Sequence, residues 1–554
     1  MTVVVKGLLG RAGCTRMVQG GYNAVLASPD SIDAHFLDTL AGGGWINDQE
    51  LVWSLVTEAP GRVLELESRY GCFFDRHPDG RIHQKPFAGQ THDRTIHKGD
   101  LTGIEIMNRL TEQVWTRPSI RALEEHRAVE LLLDSAGRVG GALVLDIRRG
   151  SFTAVRGRAT LLAMGGGPTM YKVIACSADK SSDGIALALR VGVRLRDMEM
   201  IQFHPTGMIY PAGVRGMLVT EAVRGEGGIL TNKDGERFME KYDPKRMELS
   251  ARDVVARSIY TEIMAGRGTK NGAVYLDIRQ RGADYIKKKL PSMYFQFLEF
   301  AGIDITKEKM EVAPTVHYQM GGIKVDADTG ETTVKGLYAG GEVACGLHGA
   351  NRLGGNSLSD ILVFGRRCGM GASDYIQKES PKNAVSDDDI QKELSRILGP
   401  FKVANGTNPF ELKERIAAVM WKYVGIVRNE QDLQKGLEEI GKIRLDSKSV
   451  QAKGPRAYNQ SWADSLAVWN MALDCEAIIR SALARKESRG AHTRSDYPKK
   501  DDEKWMVNII ERNKDGQMIQ EMIPVPKMPQ ELAALLDRSE VLSWKKNEPK
   551  EKQK

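Results

Sequence analysis

Cysteine is scarce in this chain of 554 residues. The six that occur, Cys14, Cys72, Cys176, Cys345, Cys368 and Cys475, lie far apart and include no C-x-x-C. That spacing argues against a zinc or iron–sulfur site within the chain and for free thiols in a reducing compartment. No run of about eighteen apolar residues is present, which excludes an ordinary transmembrane helix. The opening MTVVVKGLLGRAG is too short and too broken by glycine to read as a signal peptide. There is no internal repeat, no nucleic-acid-binding motif and no G-x-G-x-x-G, the turn that seats a cofactor pyrophosphate at a helix N-terminus. The formal charge of +7 and pI near 8.9 come from lysine and arginine spread along the whole length. That balance fits a solvated basic surface, or one that attracts an anionic substrate or an acidic partner.

What is present is globular. Apolar residues make up 41% and charged residues 27% of the chain, the proportions of a soluble protein. The length predicts about two to four domains. Val3 to Lys6 reads as a buried strand, and 48–68 and 101–116 have helical periodicity. Val139 to Ile147 and Ser151 to Gly167 read as strands, the second running into a glycine turn suited to a nucleotide. Ser181 to Gly192 reads as a helix capped by its serines or Asp183. Lys335 to Val343 is a further strand, and Gly355 to Ile376 a long helix whose N-terminus could face a cofactor. Residues 386–490 are rich in helical pattern. Trp505 to Val525 predicts a hairpin around Lys514-Asp515-Gly516, and Lys545 to Lys554 a disordered tail.

Five short motifs carry chemistry. In order they are QFHPTG (Gln202 to Gly207), TEAVRGEGG (Thr220 to Gly228), SARD (Ser250 to Asp253), HYQMGGI (His317 to Ile323) and HGANRLGGNSLSD (His348 to Asp360). Together they offer cationic arginines, histidine donors and a carboxylate beside an arginine, enough to hold a small dicarboxylate and move a proton. The glycines let backbone approach a flat or phosphorylated ligand.

At these residues the sequence resembles the flavoprotein subunit of succinate dehydrogenase and fumarate reductase. The likeness runs from QGGYNAVL (Gln19 to Leu26) to SRGAHTRSDYP (Ser488 to Pro498), with all five motifs in the family's order. L-aspartate oxidases share most of them, while LPSMYFQF (Leu290 to Phe297), NRLGGNSL and YQMGGI are closer to the dehydrogenase.

The resemblance implies an α/β fold. A Rossmann-like FAD-binding domain would span 1–207 and 313–384, interrupted by a cap domain at 208–312, with a helical domain at 385–495 and a C-terminal β-containing segment at 496–554. Arg252 matches the family's proton shuttle. An arginine is normally too basic for a general acid, so it needs a carboxylate relay, which Glu221 and Arg224 supply. Arg352 and His317 match the residues that clamp one substrate carboxylate, and His204 and Thr220 those that hold the other. For FAD, the matching positions are Lys6, Thr15, Gln19, Gly20, Gly21, Gly165, Gly166, Asp183, Tyr318, Glu342, Ser357 and Leu358.

Two departures stand out. The family's first strand, glycine turn and helix have no counterpart, and VVVK corresponds to its second strand. That leaves either a truncated sequence or a sheet with an unpaired central position. Cys14 stands where the family's dehydrogenases carry a histidine bonded to the flavin. FAD is therefore expected to bind without a covalent link, the rival being a cysteinyl thioether. The implied partners are an iron–sulfur subunit, through it a membrane anchor, and a small dicarboxylate, with no nucleic acid. The implied location is the inner face of the cytoplasmic membrane. The alternatives are an L-aspartate oxidase, a thiol-linked fumarate reductase, or a cofactor-free assembly subunit.

Overall fold

The structure is a computed structural model, and it describes residues 1–379 and 385–538. The proposed tail and the boundary at 384/385 touch residues outside that range. Two parallel strand pairs carry the nucleotide fold. Thr2–Val5 pairs with Arg121–Glu124, and Thr160–Leu162 pairs with Leu337–Ala339. Among the described residues these pairs are not hydrogen-bonded to each other, so the parallel sheet stands as two halves. A three-stranded antiparallel sheet, His126–Leu133, Val139–Asp146 and Ser151–Arg156, covers one side.

Several strand and cap expectations need correction. The strand expected at Lys335 to Val343 is only Leu337–Ala339, because Gly341 takes a left-handed φ of 74° and the chain turns into a short 3₁₀ segment. Ser182 and Asp183 do stand at the start of the helix Asp183–Arg190, but neither side chain makes a cap bond. Ser182 sits at the N-cap with a φ of 61° and no side-chain cap, and the Asp183 carboxylate faces Arg127 instead.

The cap and nucleotide regions share one sheet. Its order is Ile201–Met208, Met310–Gln319, Val274–Asp277, Ile229–Thr231, all antiparallel. The first two strands straddle the edges of the 208–312 segment, so the cap is anchored by continuous β-structure. Its apolar core is separate and includes Met208, Val255, Ile259, Leu276, Met293 and Phe297.

Further along, Pro409–Tyr423, Glu430–Asp446 and Gln460–Ala484 pack as a helical unit. Each begins on an asparagine whose side chain accepts an amide: Asn408 from Phe410, Asn429 from Asp432, Asn459 from Trp462. Such caps contribute about 1 kcal/mol apiece. The last helix is surrounded and buries residues on every side, with Trp462, Val468, Met471 and Ile478 at zero exposure and Asp464, Asn470, Asp474 and Glu476 buried among them. The C-terminal hairpin, Val507–Lys514 with Gln517–Pro524, turns on Asp515-Gly516. It does not stand alone. It pairs through Leu195–Arg196 with Gly322–Ile323, closing a four-stranded sheet against the nucleotide fold.

Candidate active site

The two central histidines meet because of β-bulges. Along the pairing of Ile201–Met208 with Met310–Gln319, Gln202 opposes Tyr318 but Phe203 opposes Val316, which leaves His317 as the extra residue. A second irregularity lies between His204 and Gly207. Bulges bend a strand and re-aim a side chain. Here they set the two imidazoles edge to face at 5.5 Å. His204 Nδ1 lies 3.2 Å from the Thr206 amide and 3.1 Å from the Thr206 carbonyl, so the Thr206 backbone holds that edge of the ring. His317 is half-buried and its Nδ1 has no partner.

Arg252 opens the helix Arg252–Glu262. Its Nε donates to Glu221 Oε2 at 2.8 Å and its Nη1 to Gln202 Oε1 at 3.3 Å. Glu221 also accepts the Ala88 amide at 2.8 Å, and Arg224 Nη2 stands 3.8 Å away. All three charged side chains are buried. Burial alone would raise the Glu221 pKa, but Arg252 and Arg224 more than reverse it and keep the carboxylate ionised. Arg224 donates to the Glu248 carbonyl at 2.6 Å, while its Nε and Nη2 make no hydrogen bond.

Arg352 lies with its guanidinium 4.4 Å from the Tyr318 ring centre, and its buried Nε has no partner. Burial, then repulsion from Arg252, pushes its pKa down to about 10. It stays charged at neutral pH and short of an anion. Burial and the neighbouring arginines, Arg252 for His204 and Arg352 for His317, hold both histidines well below the usual imidazole range. The cluster thus holds neutral imidazoles and cationic guanidiniums, with Glu221 as the carboxylate facing Arg252 and Arg224. A small dianion would neutralise it. Thr220, directly before Glu221, is buried, and its hydroxyl accepts the Ala222 amide at 3.4 Å.

The positions proposed for FAD form a second group beside this one. Gln19 Oε1 is buried without a partner, as is His348 Nδ1 near Tyr318. A side chain at Gly21, whose φ is 152°, would strike the Ile96 carbonyl at 2.3 Å, so that turn admits only glycine. Gly165 turns at φ 69° just past the strand Thr160–Leu162. Gly166 lies against Gln319 and Glu342. Gly20 faces Phe87, and Thr15 opens the short turn Thr15–Met17. Ser357 and Leu358 occupy the first turn of Asn356–Glu379, whose leading amides have no helical acceptor. Orphaned polar atoms, bare backbone and a helix start fit a flat, phosphorylated cofactor.

Two of the expected carboxylates have protein partners already. Glu342 takes Lys180 Nζ on both oxygens at 2.5 Å, and Asp183 is held by Arg127, Asn470 and Lys6. Lys6 also donates to Ser181 Oγ at 2.9 Å. Sequence reading missed Gln202, whose amide bridges Asn351 and the Arg352 carbonyl while receiving Arg252. It also missed Lys180 and Arg127. Gln202 could have been found, since it opens the QFHPTG motif. The other two have no local signature.

A family profile described as FAD binding domain matches residues 1–358, and one described as fumarate reductase flavoprotein C-term matches 413–534. The chain is 37% identical over 520 residues to the succinate dehydrogenase flavoprotein subunit of Coxiella burnetii, covering 90% of this chain and 87% of that protein. The chain belongs to the flavoprotein-subunit family of succinate dehydrogenase and fumarate reductase. Within that family it is 46% identical over 512 residues to a fumarate reductase (CoM/CoB) polypeptide of Methanothermobacter marburgensis, with 92% of each chain covered. Mycobacterium smegmatis Sdh1, solved in complex with UQ1, superimposes with a TM-score of 0.88 at 41% identity, covering 98% of this chain and 93% of that one. The α/β architecture and the FAD-dependent oxidoreductase class expected from the motifs are therefore correct.

The buried neutral histidines set a pH dependence for the flavoprotein's stability. His35, His204 and His492 are buried with depressed pKa values, that of His35 pushed down to about 3 chiefly by burial. Such a residue takes up its proton only after unfolding. The unfolded chain then binds more protons below about pH 6.5, so stability is complete above that pH and lost as it falls. His35 alone withdraws about 2 kcal/mol by pH 5. The histidines should lower the thermal midpoint from pH 7 to pH 5, opposed in part by Asp474, Glu199 and Glu511, whose carboxyls burial raises. His35→Gln should therefore flatten that decline relative to the parent chain.

Proposed function

We propose that this chain is the subunit of a succinate–fumarate oxidoreductase that binds FAD and substrate and passes electrons singly to an iron–sulfur partner. The observation that supports this most is the buried Arg252–Glu221–Arg224 chain lying beside an unneutralised clamp of Arg352, His317 and His204. Arg352 and His317 bind one carboxylate, and His204 with the Thr220 hydroxyl binds the other. Fixing both ends twists the dicarboxylate and holds its central carbons in place. Arg252 Nη2, which carries none of the bonds to Glu221 or Gln202, gives or takes the proton at one central carbon. Glu221 and Arg224 restore it. FAD, when bound, supplies the hydride donor or acceptor for the other carbon. The residues positioned to hold it are Gln19, Gly20, Gly21, Gly165, Gly166, Glu342, Ser357 and Leu358, with Lys6 and Asp183 beside them.

No helix among the described residues is long and apolar enough to cross a membrane, so in this reading attachment to the inner membrane face comes through partners. A second reading is thiol-driven fumarate reduction, favoured by the higher identity to the methanogen protein than to the Coxiella one.

The test is the visible spectrum of the purified chain before and after acid precipitation, followed by succinate-dependent reduction of a dye. A yellow chain whose colour passes to the supernatant is expected, because Cys14 replaces the linking histidine. Colour in the pellet means a covalent flavin, and a colourless chain means a fragment or a non-catalytic subunit. Turnover of aspartate with oxygen but not of succinate with dye identifies an aspartate oxidase and defeats the proposal.

A further inference from the structure

Cys72, Cys345, Cys368 and Cys475 are buried, whereas Cys14 and Cys176 are half-buried. The Ser177 amide, directly after Cys176 in the chain, donates to Cys14 Sγ at 3.2 Å, which sets the two cysteines side by side. Lys180, on the same loop as Cys176, stands within Coulombic reach of both sulfurs while paired with Glu342. The amide donor at Cys14 and the nearby ammonium stabilise negative charge on that sulfur of the pair. That asymmetry divides an attacking thiol from a resolving one.

We infer that Cys14 and Cys176 form a reversible dithiol–disulfide couple that exchanges with small-molecule thiols and disulfides, Cys14 attacking and Cys176 resolving. The Cys14 thiolate attacks one sulfur of a disulfide RSSR. The S–S bond breaks, one thiolate leaves, and a Cys14–S–SR mixed disulfide forms. Cys176 then attacks Cys14 Sγ and displaces the second thiolate. The protein pair is oxidised by two electrons, RSSR is reduced to two RSH, and the two cysteine protons end on the released thiols. Excess RSH reverses the sequence.

Support comes from charge as well as contact. The Cys14 thiol is pulled down to about 7, chiefly by the hydrogen bond from Cys176 and despite burial. By contrast, burial pushes Cys72, Cys345 and Cys368 up to about 12. Closing the bond would tie the loop that carries Thr15 and Gln19 to the loop that carries Lys180. It would also remove the anionic sulfur from beside Lys180, leaving Glu342 as its counter-charge. Both loops border the proposed flavin site, so the couple would make that site responsive to the thiol–disulfide ratio.

The test uses the full-length chain as purified. It is incubated with oxidised glutathione, alkylated with iodoacetamide in denaturant, and digested with trypsin. The expected product is AGCTR (12–16) linked to VIACSADK (173–180), released by dithiothreitol, with the other four cysteines alkylated. In Cys176→Ser, Cys14 should accumulate as a glutathione mixed disulfide. In Cys14→Ser, Cys176 should remain alkylated. Six alkylated cysteines in the parent chain would overturn the inference. So would a stable Cys14–glutathione adduct beside an alkylated Cys176, or a flavin attached to the Cys14 peptide.

Discussion

Replacing Arg252 by glutamine is expected to lower kcat for fumarate reduction by about 10²- to 10⁴-fold, with a much smaller change in KM. Glutamine keeps a donor for Glu221 and a similar reach but has no proton to give at neutral pH. Glu221 would still be held by the Ala88 amide at 2.8 Å, with Arg224 at 3.8 Å, so the fold should tolerate the change. Arg352, His317, His204 and Thr220 would still bind both carboxylates, which is why KM should move little. Arg252→Lys should recover part of the loss and shift the pH profile, because a lysine releases its proton more readily than an arginine. An alternative account makes Arg252 an ordinary helix-end ion pair with Glu221. It predicts loss of stability with kcat nearly unchanged. Steady-state rates and a melting curve on the same two variants decide between them. A glutamine variant that keeps kcat within tenfold of the parent would remove Arg252 from the chemistry.

The residues of the substrate site were legible because each sits in a short motif of glycine, histidine and arginine. The structure brings Arg252, Glu221, Arg224, His204, His317 and Arg352 to one place from five separate stretches of chain. What could not be read was how they are aimed. His317 points into the site because it is the extra residue of a bulge, and a bulge depends on the register of a partner strand more than a hundred residues away. The same limit hid Gln202's role, since an amide that links Arg252 to Asn351 is defined only by those partners. Lys180 and Arg127 look like surface cations in the sequence, yet they neutralise Glu342 and Asp183. The long helices were clear from periodicity. The hairpin at the C-terminus was clear as a hairpin, but its pairing with Leu195–Arg196 was not, because a strand of two residues carries no period to detect.

That hairpin's attachment leads to the largest expected stability effect. Arg485 follows the helix Gln460–Ala484 and has no solvent exposure. It donates to Glu199 at 2.5 Å, Glu487 at 3.0 Å and Asp197 at 3.3 Å. It also donates to the carbonyls of Trp505 and Val507, at the start of the hairpin. One side chain thus joins the helical unit, the nucleotide fold and the C-terminal sheet. Arg485→Met fills the volume but strands buried carboxylates, and breaking such a network by removing one partner costs about 3–5 kcal/mol. Glu199 would suffer most. Burial already holds its carboxyl above the usual range with Arg485 beside it, so without the guanidinium it should take up a proton nearer neutrality. The loss should therefore be worse at pH 8 than at pH 6, where a protonated Glu199 is neutral. Adding Glu199→Gln to Arg485→Met should restore part of the stability, because the uncompensated charge is gone. Denaturant midpoints of the two single variants and the double variant measure that coupling directly. A double variant no more stable than Arg485→Met alone would mean that the lost carbonyl contacts to the hairpin, and not the buried charge, carry the effect.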